Sequence, residues 1–260
     1  MDFGLKGKIA LVTGATSGVG REIALKLAAE GASLAMNYRG SAAEAEVIVK
    51  EIKSKGGSAK AYRADVADFA AVKAMTEAVV KDFGGLNILI NNAGLAKRQR
   101  FVETTPEDWH AQIDASLYGA IHSCHAAAPY LEAAKDGRIV SVIGDSSRVG
   151  ESGLAIVAAA RAGVIGLMKS LAREFGRSGT TANALSLGLV ETAHDKDWVE
   201  ANREKLIRFY PLGRLVGPTM WRRWSRCWFH GMAAGSPAKY SASLAGTAWS
   251  DGGASCCTPI

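Results

Sequence analysis

Cysteine is scarce in this chain, with four residues in 260, and three of the four (Cys227, Cys256, Cys257) follow residue 216. That density excludes a disulfide scaffold and suits a reducing compartment, so a cytoplasmic protein is expected. Prolines number six, and no low-complexity tract or linker precedes residue 211. Together with 22% charged residues this excludes disordered and collagen-like classes. No run approaches the roughly 20 apolar residues of a membrane span, and no signal-peptide pattern opens the chain. Acidic residues almost vanish from Gly217 onward, where Asp251 stands alone against Arg222, Arg223, Arg226 and Lys239. This tail therefore holds three of the six net positive charges, and four of the six tryptophans (Trp221, Trp224, Trp228, Trp249).

What is present is an ordinary apolar fraction of 48% and 29 glycines, enough for one large domain with a sizeable core. Up to about Tyr210, short β-rich runs alternate with helical apolar spacing. Strands are expected at Lys8–Thr13, Ser33–Tyr38, Ala59–Ala64, Leu86–Ile90 and Ile139–Ile143, with helices at Glu22–Glu30, Ala42–Lys55 and further on. The strands are continuously apolar, which suits a parallel sheet covered on both faces. Strand–helix alternation means right-handed crossovers and an α/β doubly wound sheet of Rossmann type in a single domain, residues 1–216.

Between the first strand and the first helix lies Thr13-Gly14-Ala15-Thr16-Ser17-Gly18-Val19-Gly20. Glycines there let the backbone turn tightly and approach a pyrophosphate, which the following helix N-terminus stabilises. Gly14, Ser17, Gly18, Val19 and Gly20 are accordingly candidate cofactor-binding residues. The spacing is TGxxxGxG, weak alone but set in the required strand–loop–helix context.

Asp65-Val66 follows the third strand and Asn91-Asn92-Ala93-Gly94 the fourth. With TGATSGVG, GRIV (137–140), RAGVIGLMKSLARE (161–174) and SLGLVET (186–192), these stretches make the chain resemble the short-chain dehydrogenase/reductase family from about residue 5 to 216. The resemblance implies a dinucleotide at the C-terminal strand ends, its adenine near Asp65 and Val66 and its ribose beside the backbone at Asn91–Gly94, with Asn91, Ala93 and Gly94 as candidate binding residues. At the end of the second strand, where NAD users of the family place an acid, stand Tyr38 and Arg39. A guanidinium suits a ribose 2′-phosphate, so NADP is expected in preference to NAD, if any dinucleotide binds.

The same resemblance assigns the family's catalytic serine, tyrosine, lysine and asparagine to Gly144, Val157, Arg161 and Ser116. All four are replaced. Valine has no proton to exchange, glycine offers no side-chain donor, and Arg161 has no phenol beside it to activate. Asp145, Ser146, Ser147, Tyr118 and His122 are the nearby groups that could substitute. A polar loop and packing helix residues are the plainer reading of them. His122, Cys124 and His125 do not share a helix face, so no metal site is expected. Lys97-Arg98-Gln99-Arg100 could meet an anionic substrate or a coenzyme phosphate, with a solvated loop the plainer reading.

Gly153–Gly166 is rich in alanine and glycine, which permits close helix contact. In the family this helix and one spanning roughly Pro106–Leu131 form a four-helix interface between subunits. The expected function is thus a non-catalytic subunit of a hetero-oligomeric NAD(P)-dependent dehydrogenase, a tetramer by this reading, supporting an active paralogue. The two-subunit dehydrogenases of anaerobic aromatic degradation are one such pattern. The alternatives are an active NADP-dependent enzyme with displaced groups, and a dinucleotide sensor.

The tail, residues 217–260, departs from the family after Pro211-Leu212-Gly213-Arg214. Because methionine and tryptophan have single codons, Thr219–Trp228 back-translates tightly. Read one base over, permitted codons give DVAPMVALL and then VSRHGGWVTGQVLSVSGGYSM, matching the family's last helix and strand. A frameshift from about Val216 is therefore expected. On that reading Trp221-Arg222-Arg223-Trp224 is not a nucleic-acid patch, and the basic charge says little about partners.

Overall fold

The computed structural model describes residues 4–190, 196–208 and 215. Six strands, β1 (Ile9–Val12), β2 (Ser33–Tyr38), β3 (Ala59–Arg63), β4 (Ile88–Asn91), β5 (Arg138–Gly144) and β6 (Thr181–Leu187), form one sheet in the order β3-β2-β1-β4-β5-β6. Every pairing is parallel. Between them run α1 (Gly18–Ala29), α2 (Ala42–Ser54), α3 (Phe69–Phe83), α4 (Pro106–Ile113), α5 (Gly119–Ala133), the short α6 (Ser146–Val149) and α7 (Ala155–Glu174), with α8 (Lys196–Ile207) beyond β6. The doubly wound Rossmann-type α/β fold is the one expected.

The apolar runs of the central strands are buried on both sides because helices cover both faces. On one face Val12, Leu34, Met36 and Ile90 pack with Ile23, Leu27, Ile48 and Ile52 of α1 and α2. On the other, Leu11, Leu89 and Ile139 pack with Val72 and Val79 of α3, Leu131 of α5 and Met168 of α7. Val12 pairs with both Met36 and Ile90, so β1 lies at the centre, where the strand order reverses. That reversal opens a crevice at the C-terminal strand ends, the place where ligands bind in such sheets.

Local signals set the helix ends. Asp68 caps α3 by accepting from the Ala70 and Ala71 N–H groups, and Gly84 ends it in the left-handed conformation. Thr105 and Asp108 form a capping box on α4, with Pro106 in the first turn. By contrast Ser17, at the start of α1, makes no side-chain cap bond. The first-turn N–H groups of α1 are left to whatever enters the crevice.

One expectation needs correction. The helix expected over Pro106–Leu131 is interrupted at Asp114–Tyr118 by a turn of π-helix, which places Ser116 inside the fold. Strand β6, with its mixed Thr/Asn/Ser content, has no continuous apolar run to mark it in the sequence. Ala155–Ser178 is long and apolar enough, at mean hydropathy 1.5, to cross a membrane by length and composition alone. The same helix packs on β5 and β6 through Val157, Val164 and Met168. The tail at 217–260 and its frame lie outside the described residues.

Candidate functional site

The loop after β1 is held by groups that only the fold brings together. Gly14 has φ +60° and Gly18 φ +49°, both in the left-handed region that glycine accepts without strain. A Cβ on Gly20 would lie 2.2 Å from the Gly14 carbonyl oxygen and 2.4 Å from Asn92 Nδ2. Asn92 Nδ2 itself donates to the Thr13 and Gly14 carbonyls at 3.1 and 3.0 Å. Thr13 Oγ1 accepts the backbone N–H groups of Asn92 and Ala93, both at 3.0 Å, and donates to the Ile90 carbonyl at 3.3 Å. Buried Asn37 ties the loop to β2: its Oδ1 accepts the Gly14 N–H at 3.2 Å, while Nδ2 donates to the Ala64 carbonyl at 2.9 Å.

These contacts enclose a 630 Å³ cavity running across the strand ends. Gly14, Ser17, Gly18, Val19, Gly20, Arg39, Asp65, Val66, Ala93 and Gly94 all line it, as expected of them. Asn91 does not. As the last residue of β4 it points its amide into the core, donating to Ser141 Oγ at 3.1 Å and Cys124 Sγ at 3.3 Å. Alternation along the strand gives the cavity to Asn92 instead. At the open end Arg39 and Asp65, both exposed, form an ion pair at 3.8 Å. Arg63 Nε donates to the Arg39 carbonyl at 3.2 Å, bringing a second guanidinium to this end. The positive φ values, the absent Cβ at Gly20 and the uncapped start of α1 fit a dinucleotide pyrophosphate. Gly14, Ser17, Gly18, Val19 and Gly20 would hold it, with Arg39 beside the ribose of the adenosine half.

At the other end of the cavity the described wall is largely apolar. Gly94, Leu95, Ile143, Gly144, Leu187 and Val190 form it together with Arg161, its one titratable side chain among the described residues. Gly144 ends β5. Val157 is buried in α7 one helical turn before Arg161, so the two share a face. Ser116 sits in the π-turn with its hydroxyl engaged by the Leu95 backbone, accepting from N–H and donating to C=O at 3.3 Å each. A Cβ on Gly94 would lie 3.2 Å from both Arg161 Nη2 and Ser116 Oγ. Gly144 and Arg161 line this end of the cavity, and Ser116 lies beside Gly94 in its wall.

Of the candidate substitutes, Ser146 stands beside Gly144, its Oγ 3.4 Å from where a Cβ there would lie, and the others are engaged elsewhere. Tyr118 is about half exposed on the outer face. His122 rests Nδ1 on the Val66 carbonyl at 3.0 Å and, like His125, stacks against Phe69. Asp145 accepts from Ser186 Oγ at 2.6 Å and pairs with Arg148 at 3.6 Å. Ser147 Oγ donates to the Gly144 carbonyl at 2.6 Å. Burial pushes the Cys124 thiol up to about 12, so it is neither nucleophile nor ligand. No metal-binding cluster occurs among the described residues. Lys97 pairs with Asp108 at 2.7 Å, and Arg98 pairs with Glu151, a solvated-loop arrangement.

Residues 8–203 match the short chain dehydrogenase family. The chain belongs to that family. It is 40% identical over 207 residues to the 3-oxoacyl-[acyl-carrier-protein] reductase FabG of Staphylococcus aureus, covering 80% of this chain and 84% of the relative. It is 34% identical over 214 residues to the FabG of Thermotoga maritima, covering 82% and 87%. Among solved structures, a dehydrogenase/reductase from Sinorhizobium meliloti superposes with a TM-score of 0.84 at 31% identity, covering 95% and 98%. A short chain dehydrogenase from Burkholderia cenocepacia, solved in complex with NADP, gives 0.81 at 32% identity, covering 90% and 96%.

Within the family fold, the residues missed from sequence are Thr13, Asn37 and Asn92. Thr13 and Asn92 lie inside motifs already noticed, and a buried polar pair flanking a glycine loop is a detectable signal. Asn37 sits inside an apolar strand, SLAMNY, where one polar residue facing a loop is itself the clue.

Proposed function

We propose that this chain is a non-catalytic short chain dehydrogenase subunit, which binds NADP in preference to NAD and supports an intact paralogue in a hetero-oligomer in the cytoplasm. The observation that carries it is the apolar end of the cavity, where Arg161 is the one titratable side chain among the described residues. Hydride transfer to a carbonyl needs a proton delivered to the developing alkoxide. A guanidinium holds its proton across the working pH range and is a poor acid for that step. Two further features support a partner. Ala159, Ala162, Gly163 and Gly166 leave an exposed small-residue face on α7, and Tyr118 and Val149 are large side chains left exposed.

A second reading is an active reductase of 3-oxoacyl thioesters, favoured by the 40% identity to the Staphylococcus aureus FabG. The two separate cleanly. Purified chain with NADPH and acetoacetyl-CoA is expected to show nucleotide binding by fluorescence and no NADPH oxidation. Co-expression with an intact paralogue encoded nearby is expected to give a mixed oligomer by native mass spectrometry. Turnover by the chain alone overturns the proposal. Binding without turnover or partner supports the sensor alternative.

A further inference from the structure

Among the described residues Arg161 is a cation with no counter-charge. No hydrogen bond or ion pair joins its guanidinium to any described residue, and burial holds its pKa below the usual arginine range with no acid to offset it. An arginine partly withdrawn from water is ordinarily paired. Its guanidinium packs against two glycines. A Cβ on Gly144 would meet Nη1 at 3.1 Å, and one on Gly94 would meet Nη2 at 3.2 Å. The same point above Gly144 is 3.4 Å from Ser146 Oγ, a hydroxyl that makes no hydrogen bond to a described residue. With no side chain at either glycine, the guanidinium lies against the backbone and lines the cavity. The neighbouring wall is Leu95, Ile143, Leu187 and Val190, which suits an apolar body rather than a second charge.

We propose that Arg161 and Ser146 form a carboxylate-binding subsite above Gly144, which takes a small organic acid with a short apolar body. The guanidinium fork receives the two carboxylate oxygens, and the Ser146 hydroxyl donates to one of them. A planar fork matches a planar carboxylate in this geometry, and the resulting bonds are charge-assisted. A bound carboxylate supplies the counter-charge that the fold withholds. Phosphate groups of a dinucleotide are provided for at the other end of the cavity, by the α1 N-terminus. The subsite is a matter of binding and stands whether or not the chain transfers hydride.

The test is calorimetric titration of the full chain, free of nucleotide, with butyrate and benzoate, and with butyramide and benzamide as uncharged matches. The acids are expected to bind and the amides not to. Arg161→Met is expected to weaken acid binding at least about tenfold, and Ser146→Ala several-fold, from loss of charge-assisted bonds. A second measurement needs no variant: phenylglyoxal modification of Arg161, mapped by mass spectrometry, is expected to slow when benzoate is present. Amides binding as tightly as acids, or acids giving neither heat nor protection, overturns the proposal. Inorganic phosphate protecting Arg161 as well as benzoate overturns the carboxylate assignment.

Discussion

Thr13 and Ala93, eighty residues apart, are joined by a hydrogen bond at 3.0 Å from the Ala93 N–H to the Thr13 hydroxyl oxygen. The same oxygen takes the Asn92 N–H, so one side chain positions both loops that border the cavity. Thr13→Val keeps the shape and leaves two backbone donors without an acceptor. A loss of about 2 kcal/mol is expected, read as a lower midpoint in urea unfolding at unchanged slope. Unchanged stability would place the two N–H groups elsewhere.

Gly20→Ala tests the closest approach in the loop, where the added methyl would fall 2.2 Å from the Gly14 carbonyl oxygen. Backbone cannot yield as a flexible side-chain end can. The variant is expected to lose about 2 kcal/mol or more and to bind NADPH weakly if it folds, by thermal melting and fluorescence titration.

Arg39 decides between the two dinucleotides. Arg39→Ala is expected to weaken NADPH about tenfold while leaving NADH unchanged, since only the former carries a 2′-phosphate. Equal losses for both would mean that Arg39 serves the loop through Asp65 rather than the nucleotide.

Cys124 ties stability to alkaline pH. Its ordinary value is 9.0, and burial raises it to about 12. Between these values the unfolded chain releases a proton that the folded chain keeps, so stability falls as pH rises through that window. Below pH 9 the contribution is complete. Cys124→Ala is expected to flatten this part of the pH–stability curve in chemical denaturation, and native Cys124 is expected to resist iodoacetamide at pH 8.

The tail makes a prediction that the fold does not touch. Sequencing the encoding DNA across codons 216–250 is expected to yield DVAPMVALL in the adjacent frame. Codons that forbid that string would make the tail a true extension.

Much of the fold was legible because apolar periodicity reports burial directly: Ser33–Tyr38 is β2 to the residue, and Ala42–Lys55 overshoots α2 by one. The break at Asp114–Tyr118 was not legible, since a π-turn differs from an α-helix by one inserted residue and leaves the apolar spacing almost intact. Asn91 and Asn92 have the same chemistry, and strand alternation alone decides which side chain faces the cavity.

The sequence by itself determined the class of sheet, the phosphate loop and the family. It also determined that Gly144, Val157, Arg161 and Ser116 are the residues the resemblance aligns with the family's catalytic positions. Each of these follows from local spacing or residue chemistry. Only the tertiary structure decided that Arg161 stands without a counter-charge among the described residues, that Ser146 lies beside Gly144, that Tyr118 is half exposed and that His122 is held on the Val66 carbonyl. Those relations join residues up to 67 positions apart, as Gly94 and Arg161 are. No local pattern records them, because burial and the direction of a side chain are set by packing across the sheet.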